Sequence, residues 1–193
     1  MIKIGITGGI GSGKSVVSSL FRMNKIPVYM ADAESKRLSD TSPVIRKKLI
    51  SLFGDTIYVN DLLDRKRLAS FIFSNEHVLK KVNEIIHPVV KKDFQAWVKQ
   101  QKGNMCAIES AILFESGFEK TVDVVLLVYA PVELRLTRAM ERDGATEADI
   151  MKRMNRQMPE ELKRKQADYV IINDDVQALI PQVDRFLKLL VSK

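Results

Sequence analysis

Gly8-Gly9-Ile10-Gly11-Ser12-Gly13-Lys14-Ser15 fits the pattern G-x-x-x-x-G-K-[ST]. Ahead of it, Ile2, Ile4 and Ile6 alternate with Lys3 and Gly5, which reads as a strand. Behind it, Val16, Val17, Leu20 and Phe21 recur at helical spacing. Strand, glycine loop and helix form the setting in which this pattern binds phosphate. The glycines let the backbone turn its N–H groups inward, and the helix N-terminus adds partial positive charge. In that setting Gly8, Gly9, Gly11, Ser12, Gly13, Lys14, Ser15 and Val16 are expected to hold a nucleoside triphosphate. Lys14 neutralises the outer phosphates, and the Ser15 hydroxyl is the expected Mg²⁺ ligand. A dinucleotide fingerprint is excluded, because Lys14 and Val16 stand where the third glycine of G-x-G-x-x-G would fall.

The 193 residues suffice for one substantial core with smaller inserted parts. Hydrophobic residues make up 46% and charged ones 28%, as in ordinary globular chains, and no apolar run reaches membrane-spanning length. Met1 runs straight into the first strand, so no cleavable leader is expected. Cys106 is the one cysteine, so no intrachain disulfide can form. It opens an apolar stretch and reads as structural filler. A cytoplasmic protein without membrane partners is expected. The net charge is +7, and between Glu34 and Lys102 there are 14 Lys/Arg against 8 Asp/Glu. That excess suits a polyanionic second substrate, although solvated helix faces and nucleic acid remain open on charge alone.

Further along, Ile26 to Ala31 reads as a second strand, with Asp32 at its carboxyl end. Ligands of parallel α/β sheets bind at that end, so a carboxylate there can take the proton of an attacking hydroxyl. The competing role is the N-cap of a helix starting near Ala33. From Ala33 to Lys102 the pattern is helical, with Asp61 or Asp64 as a cap and an apolar stripe from Val78 to Trp97. Pro88 interrupts the stripe, so a kink or two helices meeting near His87 is expected. His87 reads first as a structural hydrogen-bonding residue and second as a catalyst. Met105 to Ile108 is a third strand ending at Glu109, where a carboxylate approaches Mg²⁺, directly or through water. Glu115 lies in the loop beyond, and Val122 to Tyr129 forms a fourth strand. Arg138 and Arg142 share a face of the next helix, either as a phosphate-covering flap or as a salt-bridged surface. Tyr169 to Asn173 is a fifth strand, and a helix from Val176 to Val191 closes the chain.

Taken in order, these residues resemble the dephospho-CoA kinase family over essentially the whole chain. The likeness rests on Thr7 to Ser15, Ala31-Asp32, His87-Pro88, Ile112 to Glu115, Arg138 to Asp143, Gln157, and Ala167 to Ile171. It implies ATP-dependent transfer of phosphate to the ribose 3′-hydroxyl of dephospho-CoA. It also implies an α/β fold of the P-loop NTPase type, with a five-stranded parallel sheet flanked by helices. The expected parts are a nucleotide-binding core (1–32, 103–132 and 167–193), a helical CoA-binding domain (33–102) and a small lid (133–166). By the likeness Asp32 is the base, Lys14, Arg138 and Arg142 act on the transferring group, and Asn173 joins the nucleotide site. Thr7, Asp32, His87 and Glu115 are the substrate-side candidates, ATP and Mg²⁺ the cofactors, and dephospho-CoA the only partner. No nucleic-acid or membrane partner is expected, and the protein should be a monomer or weak homo-oligomer.

Two departures from the family pattern stand out. Met30 replaces the usual Asp two residues before Asp32 and, on an extended strand, would share its face. Glu109-Ser110-Ala111 replaces Asp-x-Pro, lengthening the metal-side carboxylate and removing a proline from the turn. Among alternatives, a nucleoside-monophosphate kinase would need Asp-Gly-x-Pro-Arg after the third strand. A GTPase-like switch would need Asn-Lys-x-Asp, and neither stretch is present.

Overall fold

The computed structural model describes residues 1–73 and 75–191. Ser74 in the expected 33–102 segment and residues 192–193 in the last core segment lie outside the described residues. The chain divides into two compact units, one of residues 1–30 with 101–193 and one of residues 31–100.

The first unit is built on a five-stranded, all-parallel sheet. Its strands are β1 (Ile2–Thr7), β2 (Val28–Met30), β5 (Met105–Glu109), β6 (Val124–Tyr129) and β7 (Tyr169–Ile172). Their order is β2-β5-β1-β6-β7, so the strand that feeds the glycine loop lies at the centre. Residues Ile4 to Thr7 of β1 are all buried, as expected of a strand covered on both faces. Helices α1 (Lys14–Met23) and α9 (Leu179–Val191) pack together on the sheet. Val17 and Phe21 meet Val183 and Phe186 in one core with Ile4, Ile6, Leu126, Val128 and Ile171. Cys106 is fully buried in β5, and burial pushes its thiol pKa up, as befits filler rather than a nucleophile. The closing helix starts at Leu179, three residues later than the sequence pattern suggests. The Asp174 carboxylate binds the N–H groups of Val176 and Gln177 in a turn instead.

The same unit carries α6 (Val132–Asp143), α7 (Glu147–Met154) and α8 (Glu160–Gln166). Ala139, Ile150 and Met154 form a small core of their own, against which Ile10 of the glycine loop packs.

The second unit contains α2 (Ala31–Thr41), α3 (Pro43–Phe53), α4 (Arg65–Ile72) and α5 (Glu76–Gln100). Ser42 caps α3 by accepting the Ile45 N–H at 3.4 Å, with Pro43 at the first helical position. Asp64 caps α4 by accepting the Arg67 N–H at 3.0 Å, while Asp61 instead pairs with Arg46. Between α3 and α4 lies a hairpin that the helical pattern concealed, β3 (Tyr58–Val59) with β4 (Leu62–Leu63). Asn60 and Asp61 have φ of 49° and 64°, the left-handed pair that a two-residue hairpin turn requires. Two-residue strands are too short to show a period, which is why alternation could not reveal them.

Pro88 does not divide the long helix: α5 runs unbroken from Glu76 to Gln100. Proline removes one ladder bond and crowds the preceding turn, a cost of about 3 kcal/mol. The buried stripe Val82, Ile86, Val90 and Phe94 spans both sides of Pro88, and α2 and α3 pack against α5, which outweighs that cost. His87 is half-buried beside it. Its pKa lies below 6.5, first because burial disfavours the imidazolium and then because Lys91 repels it. An unfolded chain therefore takes up this proton before the folded one does. The contribution is complete above pH 6.5 and is lost as pH falls through the folded value. His87→Gln is expected to flatten the decline of the urea midpoint between pH 7.5 and 5.5; an unchanged decline would remove His87 as its cause.

Candidate active site

The glycine loop joins the carboxyl end of central β1 to the first turn of α1. Gly13 is the N-cap of α1 with φ 90°, a conformation that side chains avoid. A β-carbon there would also lie 2.1 Å from Asn173 Nδ2. That amide donates to Ser12 O at 2.8 Å, so Asn173, just past β7, ties the loop to the sheet. Lys14 is buried and its Nζ donates to the carbonyls of Gly8 at 2.9 Å and Gly9 at 3.1 Å. The ammonium thus bridges the two carbonyls at the loop's entry. Thr7 Oγ1 and Ser12 Oγ, at this same loop, are buried without hydrogen-bond partners among the described residues. Ser15 and Val16 are exposed in the first turn.

Glu109 ends β5 beside Ile6 of β1 and Met30 of β2. It is buried, and Ser18 Oγ of α1 donates to its Oε2 at 3.4 Å. The Ser15 hydroxyl and this carboxylate are hard oxygen donors of the type Mg²⁺ takes, one or two from protein and the rest from phosphate and water. In donor chemistry, two hard oxygens, the pair suits that cation. At Met30 the sulfur accepts a weak hydrogen bond from Arg22 at 3.5 Å.

Asp32 lies in the first turn of α2, which begins at Ala31. It is exposed, and it is neither a strand residue sharing a face with Met30 nor the helix's N-cap. Asp32 and His87 both belong to the second unit.

The turn after β5 is held by serine hydroxyls. Ser110 Oγ accepts the Ile112 N–H at 3.3 Å, and Ser116 Oγ donates to Ile112 O at 2.6 Å. Glu115 accepts the Met158 N–H at 2.7 Å and pairs with Lys163 Nζ at 3.1 Å. Lys163 is fully buried and also donates to Ala111 O at 2.7 Å. Of the three consecutive cations Lys163-Arg164-Lys165, the structure turns the first inward as a strut.

Arg138 donates to Asn173 O at 3.1 Å and forms an ion pair with Asp175. Arg142 grips Asp143 through Nε at 2.7 Å and Nη2 at 3.1 Å. Together with Arg153 it holds the Asp143 carboxyl far below the usual range. The groups that meet the loop from this side are others. Gln157 Oε1 accepts the Ile10 N–H at 3.1 Å, and Glu160 accepts the Gly9 N–H at 3.0 and 3.2 Å. Arg135 pairs with Glu160 at 3.0 Å. Of these, Gln157 belongs to the family resemblance in the sequence, whereas Arg135 and Glu160 were not among its candidate site residues.

Against this geometry, residues 2–178 match the family model described as dephospho-CoA kinase. The dephospho-CoA kinase of Bacteroides fragilis is 47% identical over 193 residues, covering 100% of this chain and 94% of that protein. A crystal structure from Thermus thermophilus matches with TM-score 0.84 and 36% identity, over 99% of this chain and 96% of that one. The dephospho-CoA kinase from Campylobacter jejuni matches with TM-score 0.69 and 25% identity, over 97% and 96%.

The strut makes a stability prediction. Glu115→Ala leaves the Lys163 ammonium buried without its carboxylate, and should cost about 2–3 kcal/mol, the modest end for a buried pair because Glu115 keeps some solvent contact. The double variant Glu115→Leu with Lys163→Met should recover most of that loss in urea unfolding. A single variant as stable as the parent would show that the pair carries no net weight.

Proposed function

Because the chain belongs to the dephospho-CoA kinase family, we propose a division of labour among its residues for the reaction it catalyses. That reaction takes ATP and dephospho-CoA to ADP and CoA, the last step of CoA synthesis. The observation that carries the assignment is the glycine loop at the head of α1, with the Lys14 ammonium across its entry and the Glu109 carboxylate at the end of β5.

The N–H groups of the loop and of the first turn of α1 bind the phosphates of ATP, and Lys14 exchanges its two carbonyl partners for phosphate oxygen. Asn173 keeps the loop in register through Ser12, and Thr7 and Ser12 supply hydroxyls toward the reactants. Ser15 and Glu109 would hold Mg²⁺, which when bound neutralises charge on the β- and γ-phosphates. The ribose 3′-oxygen attacks the γ-phosphorus as the bond to the β-phosphate oxygen breaks, and ADP leaves. Asp32 accepts the hydroxyl proton, a role supported by its place two residues beyond the carboxyl end of β2. His87 and the basic 33–102 segment receive the CoA portion, whose phosphates its net positive charge attracts. Arg138 and Arg142 are lid-side cations that leave Asp175 and Asp143 for the reactants. Glu115 acts from the substrate side through the turn it shares with Lys163. Catalysis is mainly positioning and charge stabilisation. No helix among the described residues is long and apolar enough to cross a membrane. We place the enzyme in the cytoplasm, as a monomer or weak homo-oligomer.

A coupled ADP-release assay tests the whole reading. Dephospho-CoA should stimulate ADP release strongly and yield CoA, while AMP and CMP should not. Stimulation by a monophosphate would overturn the acceptor. Asp32→Asn should retain ATP binding and lose turnover by about 10²–10⁴-fold. Turnover near that of the parent would overturn its role as base.

A further inference from the structure

Three of the buried side-chain polar atoms that lack hydrogen-bond partners among the described residues lie at one place, the glycine loop and the first turn of α6. They are Thr7 Oγ1, Ser12 Oγ and Arg135 Nε. Arg135 points at the loop more closely than any arginine the sequence pattern favoured. Its side chain is only 10% exposed, and a β-carbon placed on Gly9 would fall 1.8 Å from its Nη1. A side chain at position 9 would therefore have to push the guanidinium away, and glycine is what lets the two approach.

What faces Arg135 is equally specific. Glu160, 9% exposed in its side chain, sets Oε2 3.0 Å from Arg135 Nη1. Both of its oxygens accept the Gly9 N–H, at 3.0 and 3.2 Å. One carboxylate is thus held jointly by a loop N–H and a guanidinium. Those donors match a phosphoryl group, whose oxygens take backbone N–H groups and arginine in the same way and with more charge. Gly9 is the second residue of the loop, five before α1 opens at Lys14, and its carbonyl accepts from the Lys14 ammonium, the group that meets the outer phosphates. A group seated there would be the terminal phosphate.

We propose that Arg135 binds the γ-phosphate of the nucleotide, and that Glu160 is its resident counter-anion, displaced from Arg135 and Gly9 when a triphosphate binds. This rests on the loop being the ATP site. The exchange keeps the buried guanidinium compensated in both states, since an uncompensated charge there would be costly. It also sets a selective tax on binding. A triphosphate must displace Glu160, whereas a diphosphate, which ends short of Gly9, leaves the pair in place.

Calorimetric titration of the full chain with ATP and with ADP, each with Mg²⁺, tests this on the parent and on Lys14→Ala, Arg135→Gln, Arg135→Lys and Glu160→Gln. Arg135→Gln should weaken ATP about tenfold or more, the scale of one charge-assisted contact, and leave ADP within about twofold. Arg135→Lys should recover part of the ATP affinity. Glu160→Gln, which keeps the shape and removes the competing charge, should tighten ATP several-fold without changing ADP. A merely structural Arg135–Glu160 pair would instead shift both nucleotides equally, and an unchanged ATP-to-ADP ratio in Arg135→Gln and Glu160→Gln overturns the proposal. Should Lys14→Ala bind both nucleotides like the parent, the loop is not the nucleotide site, and this assignment falls with it. Loss of binding in Lys14→Ala with no selectivity in the other variants overturns the Arg135 assignment alone.

Discussion

A loop that turns several N–H groups toward one point concentrates partial positive charge, and such a loop holds its shape only if the rest of the protein props it. Here the props come from the far end of the chain. Asn173, after the last strand, holds Ser12; Gln157 and Glu160, around the start of α8, take the N–H groups of Ile10 and Gly9. Ile10 is seated in the small core that α6 and α7 make between them. Residues 8–13 are therefore shaped by residues 150–173, and the parallel sheet brings the two together by placing β1 beside β6 and β6 beside β7.

The same requirement explains the charges buried around the loop. Lys14, Lys163 and Arg135 are each taken out of water, and each is answered by oxygen: carbonyls for Lys14, Glu115 and a carbonyl for Lys163, Glu160 for Arg135. Pairs of this kind add little net stability over apolar packing, but breaking one is expensive, so they act as constraints on geometry. Lys163 and Glu115 tie α8 to the turn after β5, which Ser110 and Ser116 also hold by hydrogen bonds to Ile112.

The loop, the strand before it and the helix after it were legible in the sequence, as were the five strands and the cap at Asp64. These are set by bonds and periods spanning a few residues. Alternation marks a strand, a 3.6-residue spacing marks a helix, and a glycine–lysine–serine pattern at their junction needs no distant partner to be recognised. The continuous α5, the hairpin at 58–63, the start of α2 at Ala31 and the choice among arginines were decided elsewhere. Pro88 breaks the local pattern but not the helix, because the buried stripe crosses it. Which of Arg135, Arg138 and Arg142 faces the loop depends on where α8 delivers Glu160 and where β7 ends at Asn173. Charge type and spacing are written along the chain. The partner that turns a charged residue into a strut, a counter-anion or a surface contact is supplied by segments far away in sequence, and only packing in three dimensions brings it within a hydrogen bond.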